Sequence, residues 1–344
     1  MAINQYHYPK GTLMKAILLL SLLVAQTLSF TVDASTTNKE KWISITIDND
    51  AFVGNDSGYS NGLFVSTFEV NEKPSKTPDN DFWVSPLMWS MPQDNFTLTA
   101  NAYSFGQSLN TPSDIKIENP DSNELPYSAI LAMSNSYITV TPDYADLATT
   151  TLGVVGPMAL GEEVQTFVHK ILGANEPQGW DTQIRNEVVF ELSRARSYRV
   201  WHTQDNSFDV LVNGRASLGT IETALDIGTF VRYGNNLDKS HATTLLSAAR
   251  ISNPIAVDGW YLFLGSRVGY MFNNIAVDGN TFKDSRSIDY QNQYVSLTTG
   301  FAYTWHDISI TFAINDFNIL EDSEQEQALA DLTEFGTISF SWKI

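Results

Sequence analysis

Two polar side chains stand one helical turn apart in the stretch GEEVQTFVHKIL (161–172), Gln165 and His169. Residues four apart share a helical face, so this spacing sets an imidazole beside a carboxamide. A neutral imidazole with an amide or carboxylate neighbour is the commonest general base near neutral pH. The competing reading is a packed, hydrogen-bonded histidine, the usual fate of a lone His. A second group closes one alternating segment and opens the next: Asp48-Asn49-Asp50, then Tyr59-Ser60-Asn61-Gly62. Hard oxygen donors at neighbouring strand ends could hold Ca²⁺, which takes roughly six to eight oxygens. The same residue types are also ordinary turn formers. A third group, Gln178-Gly179-Trp180-Asp181-Thr182-Gln183 through Glu187, sets an indole among polar side chains. That Trp reads as an interfacial anchor or as filler beneath a helix. The chain contains no G-x-S-x-G elbow and no His/Cys metal cluster.

The elements that must position these groups are of two kinds. Residues 161–172 predict a short amphipathic helix. Glu162 and Glu163 favour the positive end of its dipole, and Gly173 supplies its C-terminal stop. Nearly everything else alternates. In KWISITIDND (41–50), Trp42, Ser44, Thr46 and Asp48 share one face, and Ile43, Ile45 and Ile47 the other. That period of two is the signature of a strand. Thirteen such segments can be counted, among them Leu245 to Ile251, and the last, FGTISFSWKI (335–344), keeps Ile338, Phe340, Trp342 and Ile344 in one phase. Strands of about ten residues, aromatics near their ends and alternately short and long connections predict an all-β, transmembrane antiparallel barrel of about 12 strands. A soluble exported sandwich or barrel is the alternative, because its strands alternate in the same way.

Lys10 and Lys15 precede an apolar run, Ala16 to Ala25, and Val32-Asp33-Ala34 offers small residues for cleavage. This layout predicts a signal peptide over 1–34 and one domain over 35–344. The apolar run is too short to span a bilayer as a helix, and no later stretch of 18 apolar residues follows, so any span in the mature chain must be β. The chain has no cysteine, which excludes disulfides and thiol chemistry. Its net charge of −19 disfavours nucleic acid and favours divalent cations as partners.

Taken in order, Asp48-Asn49-Asp50, Tyr59-Ser60-Asn61-Gly62, Gly153-x-x-Gly156-Pro157, Gly161-x-x-x-Gln165-x-x-x-His169 and Pro177-x-Gly179-Trp180-x-x-Gln183 resemble the outer-membrane lipid A 3′-O-deacylase family. The resemblance covers about residues 41–190. It implies a 12-stranded barrel in the outer membrane of a Gram-negative bacterium. It further implies a Ca²⁺-dependent esterase that removes the 3′-linked acyloxyacyl chain of lipid A (lipopolysaccharide), acting as a monomer. Carried over by position, His169 becomes the general base and Gln165 the residue that orients it or the substrate. Asn49 and Asp50 position His169 or ligate the cation, Ser60 fills a hydroxyl position and Glu176 joins Asp50 as a metal ligand. Lys116 approximates a basic residue that meets lipid A phosphate. An outer-membrane phospholipase with the same His/Ca²⁺ chemistry, and a non-catalytic porin- or adhesin-like barrel whose helix caps the lumen, are the rival readings.

Overall fold

Alternation along each strand builds the wall. A computed structural model describes residues 39–53, 58–72, 78–91, 95–240, 242, 245, 258–316 and 334–344. The expected signal peptide lies outside them. Twelve strands follow one another: β1 (Lys39–Asn49), β2 (Gly58–Asn71), β3 (Leu98–Thr111), β4 (Ser128–Val140), β5 (Tyr144–Val155), β6 (Glu187–His202), β7 (Phe208–Gly219), β8 (Glu222–Gly234), β9 (Gly259–Asn274), β10 (Gln293–Trp305), β11 (Ile308–Asp316) and β12 (Phe335–Lys343). Each pairs antiparallel with its sequence neighbours, and β1 closes on β12 from Trp42↔Lys343 to Asn49↔Gly336. The result is a closed barrel with no free sheet edge, as a membrane requires.

The inside and the outside follow from the two phases. Trp42, Ser44, Thr46 and Asp48 are buried, whereas Ile45 and Ile47 are exposed. The exposed phase continues around the wall through Leu63, Met133, Leu152, Phe190, Leu225, Leu264, Phe301 and Phe340. An apolar outer face and a polar, hydrogen-bonded inner one form the pattern of a lipid-embedded barrel. The soluble alternative is thereby set aside.

The inner face is crowded. Arg232 is fully buried and donates from Nε to Asp209 Oδ1 at 2.9 Å and from Nη1 to the Ser240 carbonyl at 2.8 Å. Ala242 and Leu245 pack against Trp42, Phe68, Ile138 and Leu147. The segment expected as a strand at 245–251 therefore begins inside the barrel, and β8 pairs directly with β9 from Glu222↔Asn274 to Gly234↔Tyr261. Its first apolar side chain fills the lumen instead of extending the ladder; residues 246–251 lie outside those described.

β1 starts and β12 finishes at the end that carries the short turns 141–143, 203–207 and 306–307, which is the periplasmic end in barrels of this type. Long connections at the opposite, outer end include 112–127, 156–186 and 275–292. The third of these opens with a short helix, Ile275–Asp278, and turns over the lumen. There Glu187 accepts from the backbone of Thr281 and Phe282 at 3.1 and 3.0 Å.

Candidate active site on the outer wall

The predicted helix forms at Gly161–Leu172, here α1, and its closing glycine, Gly173, adopts the left-handed conformation at φ 68°. The chain reaches α1 through Gly156, whose φ of 90° and close approach to the Arg185 carbonyl leave no room for a side chain. Pro157 then starts a 3₁₀ turn to Ala159. This turn drops the chain onto the outside of the barrel. Leu109, Ala129, Leu131 and Val154 belong to the outward phase of β3–β5, and they pack with Tyr127, Ala159 and Trp180 in one cluster. Gln107 Nε2, also outward on β3, donates to the Ala159 carbonyl at 2.5 Å. A Cβ on Gly161 would fall 2.5 Å from Ala129 Cβ and 2.5 Å from the Trp180 ring. The glycine is there because helix, indole and wall meet at that point.

Gln165 lies on the buried side of α1, 4% exposed, and its Oε1 accepts from Trp180 Nε1 at 2.8 Å. Trp180 is 2% exposed and tilts against Tyr127, ring centroids 4.9 Å apart. Gln165 therefore holds the helix to the indole beneath it. His169 follows one turn later and is half-buried. Its Nδ1 lies 2.5 Å from the Asn175 carbonyl oxygen, which can only accept. In a neutral imidazole that contact puts the proton on Nδ1 and makes Nε2 the nitrogen that can act as a base.

The strand-end residues have separate fates. Asp48 points into the lumen, accepting from Tyr59 Oη at 3.1 Å and from Thr337 Oγ1 at 2.7 Å. It ties β1 to β2 and β12. A side chain at Gly62 would meet Tyr59 Oη at 2.4 Å, which explains the glycine of that motif by packing. Asn49 ends β1 in the outward phase, one residue past the Asp48↔Gly62 pair, and Asn61 and Gln107 lie on the adjoining outward rows of β2 and β3. β1 and β3 are two inter-strand spacings apart, about 10 Å. Asp50 opens a 3₁₀ turn and is 4% exposed. Ser60 lies within β2, next to the bulge between Gly58 and Asn61.

Lys116 is exposed on the 112–127 loop. The carbonyl of its neighbour Ile115 accepts from Gln178 N at 2.8 Å and from Tyr127 Oη at 3.2 Å. That stitches the basic loop to the segment just after α1. Glu176 is exposed, and its Oε1 lies 3.7 Å from Lys170 Nζ. Among the described residues no three His, Cys, Asp or Glu side chains gather closely enough to hold a metal. Oxygen donors suited to Ca²⁺ do occur on the turn after α1, where the Glu176 carboxylate and the Asn175 and Glu176 carbonyls follow one another. Burial, with Glu163 and Asp181 nearby, pushes the Glu162 carboxyl up from its usual range.

Sequence reasoning did not identify Gln107 as the tie between β3 and the helix, nor Trp180 as the partner of Gln165. Gln107 did carry a signal, being a polar residue in the outward phase between Phe105 and Leu109.

The family model of outer membrane protein LpxR matches residues 14–344. Among solved structures, LpxR from Salmonella typhimurium aligns over 88% of this chain and 99% of its own, with a TM-score of 0.69 and 17% identity. The β-domain of the Bordetella autotransporter BrkA aligns over 89% of this chain and 98% of its own at 7% identity, but its TM-score of 0.40 lends no weight. No curated protein matches in sequence. The resemblance drawn from the ordered motifs is borne out, as is the 12-stranded barrel.

Proposed function

The chain belongs to the LpxR outer membrane protein family, and from that premise we propose that it is a lipid A 3′-O-deacylase whose general base is His169. The observation that carries this reading is the side of the wall that holds the helix. α1 rests on outward side chains of β3 and β4 at the outer end, so the helix that carries His169 lies on the lipid-facing side of the wall, at the outer leaflet where lipid A lies. A lumen-facing site would be walled off from that lipid, and a helix that merely capped the lumen would pack on the other phase.

In the proposed reaction, His169 Nε2 takes a proton from water as the water oxygen attacks the ester carbonyl carbon. Collapse of the tetrahedral intermediate expels the sugar 3′-oxygen, which recovers the proton from the imidazolium. The products are a free fatty acid and a 3′-hydroxyl. The Asn175 carbonyl stabilises the imidazolium through Nδ1–H. Gln165 acts through Trp180 as a positioning residue. Lys116, exposed on the 112–127 loop, is the basic residue proposed to meet a phosphate of the substrate. Ca²⁺ would be held by the carboxylates of Glu176 and Asp50, with Asn49 beside Asp50, and would supply Lewis-acid stabilisation of the oxyanion. That arrangement requires Lys170 to release Glu176. Ser60 is retained from the family motif as a hydroxyl position. Export by a leader cleaved near Ala34, and action as a monomer, complete the reading.

The test is mass spectrometry of lipid A incubated with purified protein and Ca²⁺, alongside His169→Ala. Loss of the 3′ acyloxyacyl chain with the wild type, and its retention with a folded, heat-modifiable variant, supports the reading. Intact lipid A but cleaved glycerophospholipid would replace it with the phospholipase, whose substrate also reaches an outward-facing cleft.

A further inference from the structure

A second segment lies against the outside of the barrel, toward the opposite end. Residues 79–91, containing a 3₁₀ stretch at Phe82–Ser90, belong to the long β2–β3 connection at the periplasmic end. Their partners are outward. Asp146 pairs with Thr139 and Arg196 in the ladder, out of phase with Ala145 and Leu147, which sit in the lumen core. On that outward face Asp146 is fully buried and receives Nε and Nη2 of Arg196, both at 2.9 Å, together with Nη2 of Arg194. Arg194 also donates to Ser90 Oγ at 3.0 Å and to the Ser90 carbonyl at 3.1 Å. The segment is pinned further by Thr150 Oγ1 to the Trp83 carbonyl at 2.8 Å, Tyr103 Oη to Asp81 at 2.7 Å and Tyr137 Oη to Asp79 at 3.1 Å. Val84 and Met91 pack on Tyr137 and Ala148 beneath it.

A carboxylate with two guanidinium groups on the lipid-facing side of a membrane wall is costly unless covered. Residues 79–91 provide that cover. Their own outer surface is the reverse of polar: Phe82 is 76% exposed and Trp89 86% exposed, with no covering element among the described residues. The next outward residues along β5 and β6 from Thr150 and Leu192, the paired Leu152 and Phe190, are exposed and apolar as well.

We infer that residues 79–91 form a strap that inserts between barrel and bilayer: its polar side covers Asp146 and Arg194, and Phe82 and Trp89 dock into the acyl chains of the periplasmic leaflet. The partner of this surface is lipid. The polar side is satisfied by the wall and the aromatic side by hydrocarbon, so the strap is stable only at that boundary. It gives the barrel a fixed orientation in the inner leaflet, independent of the outer-leaflet site.

The absence of native cysteine makes the test direct. Trp89→Cys, and separately Phe82→Cys, are labelled with an environment-sensitive fluorophore in the full-length barrel reconstituted in phosphatidylcholine vesicles. Asn206→Cys, in the β6–β7 turn, is the aqueous control. The expected result is a blue-shifted label at 89 and 82, quenched several-fold more by acyl-chain nitroxide lipid than the control and weakly by iodide. Strong iodide quenching without nitroxide quenching would overturn the inference. So would ready disulfide linkage between two unlabelled Trp89→Cys barrels, which would make the face a contact between copies. If one variant does not fold, the other position decides.

Discussion

Replacing Gln165 by Leu tests whether that residue acts on substrate or on the helix. The side chain is 4% exposed and accepts from Trp180 Nε1 at 2.8 Å. Gln165→Leu keeps the volume and leaves an indole N–H unpaired in a buried site. Trp180→Phe leaves the Gln165 oxygen unpaired instead. An orphaned buried polar group costs about 1–3 kcal/mol, whereas removing both partners is close to neutral. Each single variant should therefore raise the exchange rate of α1 amides by about 5- to 160-fold, the same interval converted through RT. The double variant should return most of that, a coupling of about 0.5–3 kcal/mol. Deacylation should follow the same order, lower in both singles and partly restored in the double, with kcat more affected than KM. Hydrogen exchange monitored by mass spectrometry, run beside the lipid A assay, reads both quantities. Loss of activity in Gln165→Leu, with Trp180→Phe unaffected and the double no better, would refute the argument and place Gln165 on the substrate.

Two glycines should separate packing from backbone strain. Gly161→Ala forces a methyl into Ala129 and the Trp180 ring, both at 2.5 Å, so it should cost about 1–3 kcal/mol of helix docking and reduce deacylation while the barrel keeps its heat-modifiable mobility. Gly173→Ala meets nothing within 4 Å and should cost only the left-handed backbone penalty, about 1–2 kcal/mol, measured as a smaller rise in α1 exchange. Glu162→Gln should stabilise α1 at neutral pH. Burial, Glu163 and Asp181 raise the Glu162 pKa above the unfolded value of 4.5, so the folded state holds its proton more tightly and stability falls as pH rises through the raised pKa. The gain from the Gln variant should be present above that pKa and vanish below pH 4.5, as checked by thermal unfolding of α1 contacts across pH.

Much of this was legible because the two periodicities differ so sharply. Ile43, Ile45 and Ile47 against Ser44, Thr46 and Asp48 state both the strand and which face meets lipid. Gly161, Gln165, His169 and Gly173 state the helix to its boundaries. What spacing does not carry is which face of the wall a loop element chooses. Gln165 reads as a catalytic neighbour of His169 until Trp180, fifteen residues on, is found beneath it. The Asp48-Asn49-Asp50 run reads as one ligand group, yet alternation sends Asp48 into the lumen and Asn49 outward. Residues 245–251 alternate like a strand, yet Leu245, the first of them, packs inside the barrel with Trp42 and Phe68. Residues 71–95, polar and rich in Pro, read as a loop. Only the unexpected polar residues in the outward phase, Asp146, Arg194 and Arg196, hint that something covers the wall there.

The two external elements obey one rule. Each lies on outward polar residues of the wall: the 3₁₀ turn that leads into α1 over Gln107 at the outer end, and residues 79–91 over Asp146 and Arg194 toward the periplasmic end. The consequences differ because the covers differ. The strap satisfies its cluster completely at Arg194, whose guanidinium reaches Asp146, Ser90 and the Leu147 and Ala195 carbonyls, so nothing remains to act on a ligand. At α1 the cover is partial. His169 has its Nδ1 committed to Asn175, its Nε2 has no hydrogen-bond partner among the described residues, and the side chain stays half-buried. A reactive group needs that incomplete satisfaction, since a fully paired imidazole has no lone pair to offer water. A filled lumen and an outward, half-covered histidine are therefore parts of one solution: chemistry on a membrane lipid has to be presented to the membrane, and the barrel interior serves to hold the wall that presents it.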